Sequence, residues 1–280
     1  MSLIDFILNV TGVLLWLSFR ALKFDPLVRT SASSLVGTLR RAEPRRFQNG
    51  YLLAALLALI LFRGWFYFQI GPTVDWVPSL RLGAIALAFR SDYPDRIFCY
   101  SVLSFLLSLA VFYLWLLCLS LVNGRASETD PLQRLVRLHL GQVDGWPWPA
   151  RLALPFVLAI PAWLILYWGL ADLGLIPGGA PMLVRLEQAA IIGLGSYLVW
   201  KYLLGAILLL YLLNSYIYLG NHRFWGFVHL TGGRVLAPLR KLPLRYGKAD
   251  FSPLAAIFLI FGFAELSQWG LGRLYRLLPF

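Results

Sequence analysis

Three observations predict an all-α fold, a polytopic membrane protein with about six transmembrane helices in three helix–linker–helix repeats, plus interfacial amphipathic helices. Of 280 residues, 59% are hydrophobic and only 14% charged, where a soluble domain carries about 25% charged residues to solvate its surface. Six segments approach the roughly 20 mainly apolar residues that a helix needs to cross a bilayer. Landmarks along the chain recur at intervals near 101 residues, the mark of an internal repeat.

The spans follow in order. The first, 3–19, has no Lys or Arg before it and no small-residue cleavage site, so it is expected to stay in the membrane and not to act as a secretory signal. Asp5 and Asn9 interrupt it. The second covers 51–70. The third, 97–122, contains no charge at all. The fourth covers 152–170. The fifth, 189–219, exceeds the bilayer thickness and must tilt or protrude, and it carries Lys201. The sixth covers 253–271. Membrane strands would show about ten alternating residues, whereas runs such as Leu52 to Phe62 are apolar on every face. Between the second and third spans, 71–96 opens with Gly71-Pro72 and holds Leu80 to Phe89. Ten residues cannot cross, so a short interfacial or re-entrant helix on the outer side is expected there.

The second, fourth and sixth spans begin near Tyr51, Leu152 and Pro253, each 101 residues after the last. Asp25-Pro26-Leu27-Val28-Arg29 returns as Asp130-Pro131-Leu132-Gln133-Arg134, and Asn221-His222-Arg223 takes the matching place in the third copy. The repeat units are 1–96, 97–188 and 189–280, together forming one membrane domain.

Net charge is +12. Nucleic acid is the match by charge alone, but in a membrane protein such an excess marks cytoplasmic loops facing anionic headgroups, and nucleic-acid binding is rejected. The three long linkers, 20–50, 123–151 and 220–252, hold 17 Lys or Arg against 6 in the other loops and the C-terminal tail. This places the linkers in the cytoplasm and both termini outside, in a bacterial inner membrane. Residues expected at the headgroups are Arg40, Arg41, Arg45, Arg46, Arg134, Arg137, Arg234, Arg240 and Lys241. Leu132, Leu135, Val136 and His139 fall at helical spacing opposite Arg134 and Arg137. Phe224, Phe227, Val228, Val235, Leu236 and Leu239 alternate with basic residues in the same way. Both patterns describe helices in the headgroup plane or packed on the protein's own spans. Gly232-Gly233 is expected to break the second into two pieces.

Charge inside a bilayer is costly and purposeful. Arg63 and Glu265 lie 12 residues beyond Tyr51 and Pro253, at the same depth in their repeats. Glu265 is expected to pair with Arg63 or Lys201, as a clamp between repeats in preference to a proton or ion site. His139, His222 and His229 all lie in linkers. Haem ligation by His222 and His229, seven residues apart, competes there with plain surface roles, and no cofactor is expected. Cys99 and Cys118 lack a CxxC pairing, so no metal is expected. No Ser, Cys or His sits in a hydrolytic motif, and an enzyme is not expected.

The third unit carries Pro238-Leu239-Arg240-Lys241-Leu242-Pro243, then Gly247, then Asp250-Phe251-Ser252-Pro253 leading into a span. This resembles the YggT family of small membrane proteins, whose repeat pairs two helices around a basic linker. The family motif falls on Pro238, Arg240, Pro243, Asp250, Ser252 and Pro253. The likeness covers roughly 190–272. The middle unit keeps only Asp130-Pro131 and Trp146-Pro147, and the first only Asp25-Pro26 and Pro44. A third unit departs from the usual one or two. The resemblance implies a non-enzymatic scaffold, assembly factor or accessory subunit. It also implies links to osmotic tolerance, to division or nucleoid organisation, and in plastid relatives to haem attachment on a b-type cytochrome. Lipid and other membrane proteins would be the partners. The competing functions are a small-solute or ion transporter or channel component and a haem-handling factor for a membrane cytochrome. Independently of the resemblance, Asp250 or Ser252 suits a helix cap and Pro253 the first helical turn.

Overall fold

Apolar segments surrounded by hydrocarbon must bond their own peptide groups, and the α-helix does so within one segment. The computed structural model describes residues 2–24, 46–83, 85–124, 131–217, 222–239, 245–246 and 249–277. The described chain is overwhelmingly helical and has six helical segments long and apolar enough to cross a membrane. These are Leu3–Ala21, Gly50–Ile70, Pro94–Asn123, Trp148–Asp172, Met182–Tyr216 and Ser252–Leu277. They match the six expected spans. The fifth starts and ends earlier than the sequence suggested, because Met182 to Gln188 already winds as helix ahead of the uncharged run.

In chain order the helices are α1 (Ser2–Phe24), α2 (Arg46–Ile70), α3 (Pro94–Asn123), α4 (Pro131–Leu140), α5 (Trp148–Asp172), α6 (Met182–Ser196), α7 (Trp200–Tyr216), α8 (Arg223–Val235) and α9 (Ser252–Leu277). A 3-10 turn, Tyr197–Val199, joins α6 to α7 within the 35-residue fifth span. The chain forms two units, Met1–Leu80 with Ala88–Ala110, and Arg81–Leu87 with Val111–Phe280.

In the first unit α1 packs along α2. Gly12 and Gly64 are the thin points that admit the rings of Phe105 and Phe98 from α3. Tyr67, Trp76, Phe89 and Tyr100 interlock edge to face or tilted, with Tyr67 and Trp76 centroids 4.7 Å apart, the favoured aromatic arrangement.

In the second unit α5 packs on α6, and α7 packs on both α8 and α9. Pro155 and Pro161 sit inside α5, and a missing N–H leaves a carbonyl one turn earlier without its usual donor. Tyr197 donates its hydroxyl to the nearby Leu152 carbonyl at 2.5 Å, and Gly193 lets α6 approach Phe156 and Ala159. The loop from α5 to α6 closes on Tyr167, which donates to the Pro177 carbonyl at 2.9 Å. The Arg185 guanidinium lies 4.5 Å from the Tyr167 ring centroid. Leu208, Leu236 and Ala256 form a buried core shared by α7, the end of α8 and α9.

Two expectations are corrected. Residues 71–96 do not form a helix over Leu80 to Phe89. After a 3-10 turn, Pro72–Val74, the chain makes a two-stranded sheet of β1 (Ser79–Leu82) and β2 (Ile85–Ala88). Leu80, Ile85, Leu87 and Phe89 are buried, and this alternation has the strand period of two. Gly83 adopts φ +63° at the turn, and its Cα approaches the backbone of Gly195 in α6. Second, Gly232-Gly233 does not break its linker helix, since α8 runs through to Val235. Gly232 is buried and faces the Tyr211 ring, which a Cβ would meet at 2.7 Å, so this glycine serves close packing.

Before α9, Arg245 and Tyr246 (β3) pair antiparallel with Asp250 and Ala249 (β4). Ser252 is the first residue of α9 and Pro253 lies in its first turn, both buried, while the Phe251 carbonyl accepts the Ala255 N–H at 3.0 Å.

Gly195→Val is expected to lower the apparent unfolding temperature of the detergent-solubilised protein, because overpacking a close backbone contact costs about 1–3 kcal/mol. Gly169→Val, at an open position on α5, should leave the melting curve unchanged. The comparison is made by intrinsic tryptophan fluorescence on heating.

Candidate functional site

Asp5 and Asn9 are four residues apart on α1, so they share one face of the helix. Arg63 on α2 is buried against that face at 2% exposure. Its Nη2 donates to Asp5 Oδ1 at 2.5 Å and its Nη1 to Asn9 Oδ1 at 2.6 Å. Asn9 passes a hydrogen bond on to Ser104 Oγ at 2.9 Å, and Tyr67 donates to Asp5 Oδ1 at 3.0 Å. The guanidinium carbon lies 5.5 Å from the Tyr67 ring centroid and 5.6 Å from that of Tyr100, within cation–π range. The two residues that interrupted the first span are thus the partners of its neighbour's arginine.

The second unit holds a pair of the opposite sense. Lys201 on α7 donates from Nζ to Glu265 Oε1 on α9 at 2.7 Å. Gly205, one turn along α7, lets the Phe261 ring of α9 come close. In the α1–α2 pair the acid is on the first helix and the base on the second; in the α7–α9 pair the order is reversed. Arg63 is therefore bound to Asp5, and Lys201 is the partner of Glu265. The burial of this pair is uneven: the Lys201 side chain is 7% exposed and that of Glu265 64%. Beside it an open apolar groove of about 980 Å³ is lined by Lys201, Leu204, Phe258, Gly262 and Phe263 among others.

A third polar group gathers where the linkers leave the second unit. Ser120 and Asn123 sit one turn apart at the end of α3, both fully buried. Arg151, at the start of α5, donates from Nη1 to the Ser120 carbonyl at 3.0 Å and to Ser120 Oγ at 2.7 Å. Asp144 accepts from Ser120 Oγ at 2.5 Å and forms ion pairs with Arg137 at 3.3 Å and Arg151 at 3.7 Å. Asn123 donates to Thr231 Oγ1 at 2.9 Å and accepts from Arg234 Nη1 at 3.1 Å. These bonds tie α4, the Gly141–Gly145 turn and α8 to the last turn of α3. Sequence reasoning placed Arg137 and Arg234 at headgroups and overlooked Ser120, Asn123, Asp144, Arg151 and Thr231. The available signal was a polar run, Ser120 to Asn123, closing an uncharged span.

Of the remaining expected residues, Arg134 is exposed on α4 and Pro238 is exposed just past α8. Arg40, Arg41, Arg45, Arg240, Lys241 and Pro243 lie outside the described residues, as do the side chains of Arg46 and Asp250. Each histidine has its own protein contact. His139 Nδ1 lies 2.9 Å from the Leu135 carbonyl, His222 accepts the Phe224 N–H at the start of α8, and His229 stacks on Tyr211 with centroids 5.2 Å apart. Among the described residues no three His, Cys, Asp or Glu side chains gather as metal ligands.

Arg63→Met is expected to destabilise the protein by about 3–5 kcal/mol, the usual cost of leaving a buried charge unpaired. Asp5→Leu combined with Arg63→Met should recover much of that loss, and thermal unfolding in one detergent reads both. No protein-family model, no curated protein and no solved structure matches this chain.

Proposed function

We propose that the chain is a non-enzymatic membrane scaffold or assembly subunit of the YggT type, built from three copies of a helix–linker–helix unit in a bacterial inner membrane. Its basic linkers face the cytoplasm and hold the anionic leaflet. Its spans bind other membrane proteins in a larger complex.

The observation that carries this reading is Glu265. It lies at the middle of the 26-residue α9, with a side chain 64% exposed. A carboxylate facing hydrocarbon at that depth costs several kcal/mol and is covered by protein or water in membrane proteins that carry one. Gln268 and Trp269 are exposed one turn further along. A neighbouring helix that covers this strip satisfies these groups and gains packing at once. The pairing of Arg63 with Asp5 and of Lys201 with Glu265 supports the same reading, because both couples join two helices.

Gentle purification from native membranes is expected to yield the chain in stoichiometric company with other integral membrane proteins, identified by mass spectrometry. Trp269→Ala, on the same exposed strip, should break that complex up. A lone, monodisperse chain that carries measurable solute flux in liposomes would overturn the scaffold reading in favour of a transporter.

A further inference from the structure

A helix that ends at the membrane surface leaves its last carbonyls without donors, and basic side chains supply them well. α3 ends in this way at Ser120 and Asn123, where Arg137, Arg151 and Arg234 gather from α4, α5 and α8. What these guanidiniums touch does not balance their charge. Asp144 faces two of them, Arg137 at 3.3 Å and Arg151 at 3.7 Å. Among the described residues the partner of Arg234 is the neutral Asn123 amide oxygen at 3.1 Å. A charge drawn partly out of water with neutral company alone is costly, and an anion relieves that cost. Arg151 is open on one side. Gly124, exposed just past α3, puts no side chain over the guanidinium, and a Cβ added there would lie 3.2 Å from Nη2.

Position and neighbours decide which anion fits. The end of a span lies at headgroup depth, whichever side the linkers take. Leu230 stands four residues before Arg234, so the two share one face of α8, and it is 39% exposed. On α4, Leu135 is exposed two residues before Arg137. Bare leucines beside guanidiniums suit a molecule that carries a phosphate and apolar chains together. A soluble phosphate would leave the leucines uncovered. The planar fork of arginine meets two phosphate oxygens at once, and basic pockets between membrane helices take lipid headgroups in this manner.

We infer that Arg151 and Arg234, with Arg137 beside them, bind the phosphate of one anionic phospholipid at the end of α3, its apolar part against Leu230. The inference rests on the reading of the basic linkers as the part that holds the anionic leaflet. It narrows that reading from a diffuse basic surface to one bound headgroup.

The test uses the full chain in detergent, with phosphatidylglycerol, phosphatidylcholine or inorganic phosphate added separately. Native mass spectrometry is expected to show one phosphatidylglycerol retained per chain in preference to phosphatidylcholine. Arg234→Gln should weaken that retention roughly tenfold, the scale of one hydrogen bond to a charged group. Arg223→Gln removes the same charge from an exposed site on α8, eleven residues earlier and about 16 Å away along the helix, and should leave retention unchanged. Arg234→Gln keeps a donor for Asn123, and its unfolding temperature in lipid-free detergent verifies the fold. Should it fail to fold, Arg234→Lys, which keeps the charge and loses the fork, takes its place and should also weaken retention. Equal losses from the variants at 223 and 234 overturn the site and leave the leaflet reading standing. Wild-type protein that does not distinguish the two lipids overturns both. Inorganic phosphate that raises the unfolding temperature as much as phosphatidylglycerol does overturns the lipid and assigns the same cluster to a soluble phosphate.

Discussion

Hydrocarbon supplies no hydrogen-bond partner and screens no charge, so each polar atom within a span must find its match inside the protein or among its neighbours. Most of the side-chain geometry follows from that demand. Arg63 is taken up by a carboxylate, an amide and two aromatic faces drawn from three helices, which together offset the cost of burying its charge. A guanidinium suits such a site, since its planar fork meets two acceptors at once and stacks on rings. Lys201 has a single strong partner on one neighbouring helix. The contrast in exposure between Lys201 and Glu265 marks the place where the chain's own atoms leave the demand unmet.

Close packing in this protein is set by where side chains are missing. Gly12, Gly64, Gly193, Gly205 and Gly232 each receive an aromatic ring from another helix. Without a hydrophobic driving force between helices in lipid, association depends on such close fit. The Gly83–Gly195 approach applies the same logic to backbone against backbone.

The linker helices are held by polar bonds as well as by their apolar faces. The end of α3 acts as a hub: Ser120 reaches Asp144 and Arg151, while Asn123 reaches Thr231 and Arg234. These groups are buried or half-buried, and hydrogen bonds in such surroundings favour one geometry more sharply than apolar contact does. α4 and α8 are thus fixed to the spans at defined positions and do not simply float on the headgroups.

The number of spans, their order and their helical nature were determined by the sequence alone, because uninterrupted apolar length is a local property and the bilayer leaves one backbone solution for it. The positions of the intramembrane charges were equally legible, and so was a linker helix over Pro131–Leu140. What only the tertiary structure decided was pairing and role. Asp5 and Asn9 read as flaws in a span until Arg63 is seen between them, 58 and 54 residues away along the chain. Gly232 reads as a breaker until Tyr211 is found against it, and Leu80 to Phe89 read as a helix until its buried residues prove to alternate. For Arg63 and Gly232 the deciding partner lies on another helix. A local pattern states what a residue can tolerate, and only the fold states what it meets.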